Sequence, residues 1–338
     1  MVLDGHDPLA IARAAQALAD GELVALPTET VYGLGARADD DAAVAKIFAA
    51  KGRPADHPLI VHVLDAADAA HFAAQLPPVA RRLMGTFWPG PLTVIVPRAA
   101  GVAAAAAGGQ ASIGLRCPAH PVARSLLAAA RSLGVRGVAA PSANRFGRVS
   151  PTQAAHVAAE FEADLLILDG GACELGIESS IVDCSRARPV LLRPGVLTLA
   201  ALEAAAGEPL TSTENEAAND GPAPRAPGTL AAHYAPRATV RLFDTAALAD
   251  MLAKQWPPGV AVYSRTALQA CGPDGTWQRR MPDDARAAAQ ELFAVLRELD
   301  AAGAQQIWIE SAPQAAEWDG VRDRLSRAAA AFNEPVSG

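Results

Sequence analysis

Short apolar runs alternate with longer amphipathic segments along most of the chain, and this pattern predicts an α/β fold. In the first part of the chain, the predicted strands are LVAL (23–26), PLIVHV (58–63), LTVIV (92–96), VAAP (138–141), LLIL (165–168), SIVD (180–183) and VLLR (190–193). Helical periodicity falls between them and predicts helices over 8–19, 40–50, 119–133 and 151–160. Pro151 suits the first turn of the last of these helices.

The pattern breaks after about residue 207, where TSTENEAANDGPAPRAPG (211–228) is polar, rich in proline and without hydrophobic period. Such a segment is typical of a linker. Beyond it, strands are predicted at 239–243, 259–264 and 305–311, and helices near 245–254, 283–301 and 318–332. We therefore predict an α/β domain over 1–207, a linker over 208–238 and a small parallel, Rossmann-like α/β domain over 239–336.

Cysteine usage and hydropathy favour a cytoplasmic protein. The four cysteines, Cys117, Cys173, Cys184 and Cys271, contain no CxxC pair, which fits a reducing compartment and small buried roles. The first residues carry acids early and lack the basic start of a secretory signal. No apolar run approaches the roughly 18 residues that a membrane span needs, so we expect no membrane partner.

Charge is distributed unevenly, although the net charge is only −7. No acidic residue lies between Asp68 and Glu160, whereas that stretch holds nine arginines: Arg81, Arg82, Arg98, Arg116, Arg124, Arg131, Arg136, Arg145 and Arg148. Such one-sided charge suits phosphate or nucleic acid. The alternative is an ordinary surface whose acidic partners come from elsewhere in the chain.

Familiar nucleotide signatures do not account for this charge. GxxxxGK[ST] does not occur, and GLGARA (33–38) matches the dinucleotide pattern only loosely. A true dinucleotide fingerprint joins a strand tightly to a helix, whereas here TETVYG separates the predicted strand from the glycines. Covalent catalysis is also disfavoured, because none of the seven histidines lies in a recognisable motif beside Ser142 or Ser150.

Several loops nevertheless carry groups suited to an anionic ligand. PTETVYGLG (27–35) places Thr28 and Thr30 at a strand end, although a threonine-rich turn would look the same. AKGRPADHPLIVH (50–62) places Lys51 and Arg53 two residues apart in a stretch held extended by prolines, which suits a triphosphate or a carboxylate.

Further candidates follow later strands. Arg116 interrupts the apolar strand in SIGLRCPAH (112–120), so it needs an anion or a carboxylate partner to offset its desolvation. APSANRFGRVSPT (140–152) gathers hydroxyls, an amide and backbone N–H groups into a possible phosphate cradle. GIESSIVD (176–183) and LLRPG (191–195) add Ser179, Ser180 and Arg193.

Taken together and in order, these segments resemble the threonylcarbamoyl-AMP synthase family, whose catalytic part is the YrdC-like domain. The resemblance rests on PTETVYGLG, KGRP with PLIVH, FWPGPLT (87–93), LRCPAHP, PSAN with SPT, GIESSIVD and LRPG, and it covers nearly the whole chain. APGTLAAHYAP (226–236) resembles the longer form, in which the linker passes over the active site. The implied fold is a YrdC-like twisted open sheet with helices around a concave cavity, plus the Rossmann-like domain.

The resemblance implies a reaction in which L-threonine, bicarbonate and ATP give threonylcarbamoyl-AMP and pyrophosphate, for modification of tRNA at position 37. Magnesium would accompany ATP, without a metal bound tightly by protein ligands. Downstream threonylcarbamoyl-transferase proteins would be the partners. Adenylation of this kind needs no nucleophilic side chain, only aligned substrates and positive charge.

The resemblance also implies roles for individual residues, which are assigned by matching motifs. Lys51 and Arg53 are implied as catalytic residues. Contacts to threonine or its carbamate are implied for Thr30, His62, Arg116, Ala140 and Ser179. Contacts to ATP are implied for Arg53, His57, Ser112, Ser142, Asn144, Ser150, Arg193 and Tyr234.

The chain departs from the family pattern at a few positions. His57 stands where asparagine is common, Ser180 replaces a threonine, and the linker before HYAP is less basic. Two alternatives remain open. The acid-free stretch could bind tRNA or double-stranded RNA without catalysis, although aromatic residues do not interleave with its arginines. A related domain handles carbamoyl-adenylate in hydrogenase maturation, but its usual zinc-finger and acylphosphatase segments are absent from this sequence.

Overall fold

The computed structural model describes residues 1–212, 223–254, 257–266 and 277–332, which form two α/β domains. The strands of the first domain are β1 (Val2–Asp4), β2 (Val24–Leu26), β3 (Gly33–Arg37), β4 (Ile60–His62), β5 (Leu92–Pro97), β6 (Ser112–Arg116), β7 (Val138–Ala139), β8 (Leu166–Asp169), β9 (Ser180–Asp183), β10 (Val190–Arg193) and β11 (Thr211–Ser212). Its helices are α1 (Pro8–Ala19), α2 (Asp41–Lys51), α3 (Ala66–Phe72), α4 (Pro78–Phe87), α5 (Pro121–Ser132), α6 (Ala154–Ala158) and α7 (Leu199–Ala206).

The first sheet is open and mixed, with strand order β1-β8-β2-β3-β7-β4-β6-β5-β9-β10-β11. Strands β4 and β6 run parallel, and their register sets His62 beside Arg116. Strand β5 runs antiparallel to β6 and sets Thr93 on the other side of Arg116. Pairing therefore brings three polar side chains from distant parts of the sequence to one place.

The C-terminal domain contains β12 (Thr239–Phe243), α8 (Thr245–Lys254), β13 (Val260–Ser264), β14 (Gln278–Arg280), α9 (Ala285–Ala301), β15 (Gln306–Glu310), a 3-10 turn (Ala316–Trp318) and α10 (Asp319–Ala330). Its four described strands pair in the order β12-β15-β13-β14, and every pair is parallel. This small parallel sheet confirms the predicted α/β class of the domain.

The two domains share an apolar core. Val31, Val149 and Ile177 of the first domain pack in one cluster with Phe293 on α9 and Leu325 on α10. Burial of apolar surface stabilises such a cluster by about 25 cal/mol per Å². The domain boundary therefore lies against the loops that carry the predicted site residues.

The α2 helix ends in a way that positions the KGRP segment. Asp40 caps its first turn by accepting hydrogen bonds from the amides of Ala42 and Ala43. Gly52 ends the helix in the left-handed conformation, with φ of 63°, where a side chain would be strained. The chain thus turns sharply between Lys51 and Arg53, and the two cations point to different places.

One expectation about local structure is wrong. Helix α6 covers only Ala154–Ala158, and Pro151 lies outside it because the Pro151 carbonyl accepts a hydrogen bond from the Tyr32 amide, in extended backbone. The glycines of GLGARA lie in strand β3, which pairs antiparallel with β2. A Cβ at Gly35 would lie 2.8 Å from Val138, so glycine serves close strand packing there.

The described cysteines behave as small core residues: Cys117, Cys173 and Cys184 are buried and free, while Cys271 lies outside the described residues. Among the helices that the structure describes, none is long and apolar enough to cross a membrane. Of the predicted linker, 213–222 also lies outside the described residues, as do the last residues of the predicted C-terminal domain.

Candidate active site

One cavity brings together nine of the predicted site residues. These are Thr30, Arg53, His62, Arg116, Ala140, Ser142, Ser179, Arg193 and Tyr234. The rest of its lining comprises Thr28, Val31, Gly33, Ile60, Pro141, Glu178, Pro227, Gly228 and His233. Residues from the first domain form its walls, and the linker residues cover it.

Arg116 is held at one end of the cavity by a carboxylate that the sequence reasoning missed. Its Nη2 donates to Glu29 Oε1 at 2.6 Å, and its Nη1 donates to Thr30 Oγ1 at 2.8 Å. The other oxygen of Glu29 accepts a hydrogen bond from the Ala119 amide. Burial raises the pKa of Glu29, but the charge and hydrogen bonds of Arg116 leave it below its usual value. The carboxylate partner that Arg116 requires is therefore Glu29, two residues after Pro27 in the PTETV segment.

His62 contributes an uncharged imidazole to the same end of the cavity. The side chain is buried, and its Nδ1 has no hydrogen-bond partner among the described residues. Burial, followed by the charge of Arg116, lowers the pKa of His62 to about 3. A neutral ring can donate one hydrogen bond and accept another, so it suits a ligand that carries a hydroxyl.

Ser179 lies between two other polar groups on neighbouring strands. Its Oγ is 2.8 Å from Thr93 Oγ1, and Arg193 donates to its carbonyl oxygen from Nε at 3.1 Å and from Nη2 at 2.9 Å. Arg193 also donates from Nη1 to the linker carbonyl of Pro227 at 2.8 Å. The guanidinium of Arg193 thus joins the cavity wall to its cover.

Arg53 supplies a cation from the opposite wall. Its Nη2 donates to the Pro58 carbonyl at 3.0 Å, and its guanidinium carbon lies 5.5 Å from the centroid of the Phe146 ring. Its buried Nε has no partner within the described structure. Burial lowers the pKa of Arg53 to about 10, so the side chain remains positively charged at neutral pH. An unpaired buried N–H on a cation is suited to an anionic ligand.

Lys51 lies behind this wall and does not line the cavity. Its Nζ donates to the Ser142 carbonyl at 2.6 Å and to the Asn144 carbonyl. Asn144 donates in turn to the carbonyls of Arg145 and Arg148. Burial lowers the pKa of Lys51 well below its usual range. Lys51 and Asn144 therefore shape the Ser142 loop, whereas the sequence suggested that both side chains face the ligand.

The other predicted nucleotide contacts also lie off the cavity lining. Ser150 donates its hydroxyl to Glu178 Oε1. The half-buried His57 packs its ring 5.4 Å from that of Phe146. Ser112 begins strand β6, pairs with Pro97 and lies at the opposite end of that strand from Arg116. Their motifs placed these residues in one group, because a motif shows neither the direction of a strand nor the path of a loop.

The cover of the cavity comes from the HYAP segment. Tyr234 is buried with φ of 61°, an unusual conformation for a residue other than glycine. Its ring stacks on Phe293 at 5.4 Å, and the His233 ring meets it edge-on at 4.2 Å. Burial lowers the pKa of His233 to about 3 and raises that of Tyr234 to about 12, so both side chains are uncharged.

Glu178 is a further cavity residue that the sequence reasoning missed, although it lies inside GIESSIVD. Burial raises its pKa, but Arg324 and Arg193 together bring that pKa below its usual value, so Glu178 is ionised. A carboxylate beside a site for anions reduces the net positive charge there. Only the folded chain shows that two arginines offset it.

Several arginines of the acid-free stretch have partners in the folded chain. Arg82 pairs with Glu208, Arg116 with Glu29, and Arg131 with Asp65. Arg98 donates to the carbonyls of Gln110 and Val102. Folding therefore supplies Arg82, Arg116 and Arg131 with acidic partners from outside the stretch.

The fold and the cavity define an α/β protein in which buried arginines line a cavity suited to an anionic ligand, beneath the linker between the two domains. A family model described as telomere recombination, for the Sua5, YciO and YrdC proteins, matches residues 16–195. A second model, described as the C-terminal domain of threonylcarbamoyl-AMP synthase, matches residues 197–330. The chain belongs to the threonylcarbamoyl-AMP synthase family, in its two-domain form.

Relatives match over nearly the full length. The threonylcarbamoyl-AMP synthase of Pyrococcus abyssi is 37% identical over 93% of this chain and 92% of its own, and that of Bacillus subtilis is 36% identical over 97% and 94%. The crystal structure of P. abyssi Sua5 complexed with L-threonine superposes with a TM-score of 0.84 at 36% identity, covering 96% of this chain and 95% of that one. These matches confirm the resemblance and the two-domain α/β fold.

Proposed function

We propose that the protein joins L-threonine, bicarbonate and ATP into threonylcarbamoyl-AMP with release of pyrophosphate, as a nucleotidyltransferase that supports tRNA threonylcarbamoyladenosine formation. The observation that carries this proposal is the cavity itself. Three buried arginines, Arg53, Arg116 and Arg193, surround a space lined with hydroxyls and a neutral histidine. A ligand with a carboxylate at one end and phosphates at the other would satisfy that arrangement.

The end near Arg116 would hold threonine and its carbamate. Arg116 and Thr30 would bind the carboxylate, and the Glu29 carboxylate would keep the guanidinium oriented. His62, Ser179 and the backbone at Ala140 would bind the hydroxyl and the carbamate. Recognition of the substrate hydroxyl supports selection of threonine over valine, because valine would leave those polar groups unpaired.

The other end would hold ATP. Arg53, Ser142 and Arg193 would contact the phosphates, with Tyr234 closing over the nucleotide from the linker. Ser150 and Asn144 would act through the segments that they hold in place. His57 and Ser112 would reach the nucleotide where it extends past the cavity, toward Phe146 and the start of β6.

The chemistry needs no nucleophilic side chain. An oxygen of the carbamate attacks the α-phosphorus of ATP, the bond to the bridging oxygen breaks, and pyrophosphate leaves with that oxygen. Arg53 and Arg193 would offset the charge that develops on the phosphoryl group. The role expected of Lys51 changes in this proposal: its amine holds the two loop carbonyls that place Ser142.

Magnesium would enter with the triphosphate. The residues that the structure describes include no group of three or more histidine, cysteine, aspartate or glutamate side chains arranged to bind a metal ion. The product is a mixed anhydride that water hydrolyses, so a covering linker would protect it. Transfer to tRNA would require downstream threonylcarbamoyl-transferase proteins, and we propose that the protein works in the cytoplasm.

The test is pyrophosphate release by the full chain with ATP, magnesium and bicarbonate, in the presence of L-threonine, L-valine or no amino acid. We expect release with threonine, and a preference over valine of up to about 10⁴-fold, since a site built to bind a hydroxyl rejects its isostere. Release that does not depend on threonine would contradict the proposal. ATP binding measured by calorimetry, with and without threonine, would show whether an inactive sample still recognises its substrates.

A further inference from the structure

Arg324, on helix α10 of the C-terminal domain, reaches across the domain boundary to the wall of the cavity. Its Nε donates to Glu178 Oε2 at 2.8 Å, and its Nη2 donates to the Glu178 carbonyl at 3.2 Å. Its Nη1 donates to the Pro194 carbonyl at 2.8 Å and to Asp323 at 2.7 Å. The side chain is fully buried, with 0% exposed.

Arg324 contacts two of the side chains that face the cavity without facing it itself. Glu178 uses its other oxygen to accept the Ser150 hydroxyl. On its other side, the Arg324 guanidinium carbon lies 5.3 Å from the centroid of the Tyr234 ring, a cation-π distance. One residue of the second domain thus contacts both a wall and the cover of the site.

The contact between Arg324 and Glu178 fixes the geometry of the domain boundary in addition to joining the domains. A buried carboxylate without a partner is costly, and breaking a buried ion pair by removing one partner is strongly unfavourable. Apolar side chains of the shared core already bury the boundary around Val149 and Ile177. Arg324 makes four hydrogen bonds, three of them across the boundary, and this adds a fixed geometry there, since the planar guanidinium holds each acceptor in one direction.

We propose that Arg324 is a positioning residue for the adenylation reaction, which holds Glu178 and Tyr234 in place so that the C-terminal domain completes the active site. The inference rests on the proposed function. Glu178 then keeps the Ser150 segment at the nucleotide end, and Tyr234 stays against the cavity. The C-terminal domain acts on catalysis through these two side chains, in addition to carrying the linker.

The experiment compares Arg324→Met and Arg324→Lys with the unchanged chain, in steady-state pyrophosphate release. Arg322→Ala is the matched control, because Arg322 lies on the same helix and its partners among the described residues are Ala315, Pro313 and Asp319 of its own domain. We expect Arg324→Met to lower kcat/KM for ATP roughly 10- to 100-fold, since small displacements of catalytic groups cost about that much. Arg324→Lys should lose less, and Arg322→Ala should keep the unchanged chain's kcat/KM.

A pH profile distinguishes positioning from simple stabilisation. The charged and titratable groups that face Glu178 are Arg324 on α10, Arg193 on β10, and His233 and Tyr234 of the linker. Burial favours the protonated acid and Arg324 opposes it, so loss of Arg324 lets Glu178 bind a proton at higher pH. The acid limb of kcat/KM should move up by about one pH unit in Arg324→Met. It should stay near its original position in Arg324→Lys, which keeps the cation.

The inference is overturned if Arg324→Met keeps both the kcat/KM and the acid limb of the unchanged chain, or if Arg322→Ala loses as much activity. If Arg324→Met does not fold, Arg324→Lys is the deciding variant. An unchanged kcat/KM for ATP in Arg324→Lys would reject the positioning role of Arg324. A lower kcat/KM with an unchanged melting temperature would support that role. Absence of threonine-dependent release from the unchanged chain would instead reject the proposed function.

Discussion

Glu29 and Arg116 form a buried ion pair, 2.6 Å from Oε1 to Nη2, although 87 residues separate them in the sequence. The pair joins the PTETV loop to strand β6 and leaves Arg116 facing the cavity. A cation that is already paired on one side is held in a fixed orientation for a second anion. Folding stability and substrate recognition therefore depend on the same contact.

Replacing Glu29 with glutamine should weaken both folding and threonine binding. The neutral amide leaves the buried Arg116 without a counter-charge, which we expect to lower the free energy of unfolding by about 3 kcal/mol. Urea denaturation and the KM for threonine measure the two effects. Glu22→Gln is the control, because its pair with Lys46 is exposed and surface pairs contribute little. Equal effects of the two substitutions would show that burial of the Glu29–Arg116 pair contributes neither to stability nor to threonine binding.

The same carboxylate predicts how stability depends on pH. Because the folded pKa of Glu29 lies below its usual 4.5, its contribution is fully present above about pH 4.5 and is lost as pH falls through the lower, folded value. The free energy of unfolding of the unchanged chain should therefore decline below about pH 4.5, and that of Glu29→Gln should decline less steeply. Denaturation curves collected across this range give the comparison. Parallel declines in both proteins would indicate that folding leaves the pKa of Glu29 unchanged.

Arg53→Ala and Ser142→Ala should leave the fold intact and reduce pyrophosphate release by roughly 100-fold or more, since each removes a contact that we propose to the phosphates. Far-UV circular dichroism checks the fold, and the release assay checks the rate. Arg145→Ala is a suitable control, because its Nε points to the Glu160 carbonyl and its guanidinium packs near Phe161. Near-normal turnover in both Arg53→Ala and Ser142→Ala would contradict the roles proposed for them.

Gly228→Ala should prevent the linker from adopting its closed position. Gly228 has φ of 73°, and an added Cβ would collide with the Tyr234 hydroxyl and lie 2.9 Å from Arg193 Nη1. We expect a marked fall in kcat/KM for ATP with little change in overall fold. Gly134→Ala imposes the same kind of backbone strain at φ of 87° in open space, so it isolates the effect of the collision. Similar activity of the two variants would argue against closure over the nucleotide.

Local patterns predicted most secondary structure near the site. Helix α1 covers the expected 8–19, and the runs SIVD and VLLR form β9 and β10 as expected. Strands β1, β11 and β14 were not predicted, because two or three residues carry no periodicity. Strand β3 was not predicted either, because its glycines resemble a loop. Strand β3 depends on close packing against Val138, which is a tertiary constraint.

The residues of the site were only partly predicted, because tertiary structure also decides which side chains face the cavity. Ordered motifs identified Arg53, Arg116 and Arg193 as candidates, and the folded chain gathers all three around one cavity. The same motifs placed Lys51 in that group, but the left-handed turn at Gly52 sends its amine to two loop carbonyls instead. Side-chain direction depends on such turns, and a motif does not encode it on its own.

The sequence by itself determined the α/β class, the two-domain form and the family, because periodicity, composition and the order of motifs can be read directly along the chain. The tertiary structure decided which charges are paired. Glu29 meets Arg116, and Glu178 meets Arg324, only because strand register and domain packing bring them together. Buried ions must find partners wherever the fold provides them, so their pairing, and with it the electrostatics of the site, follows from the whole chain.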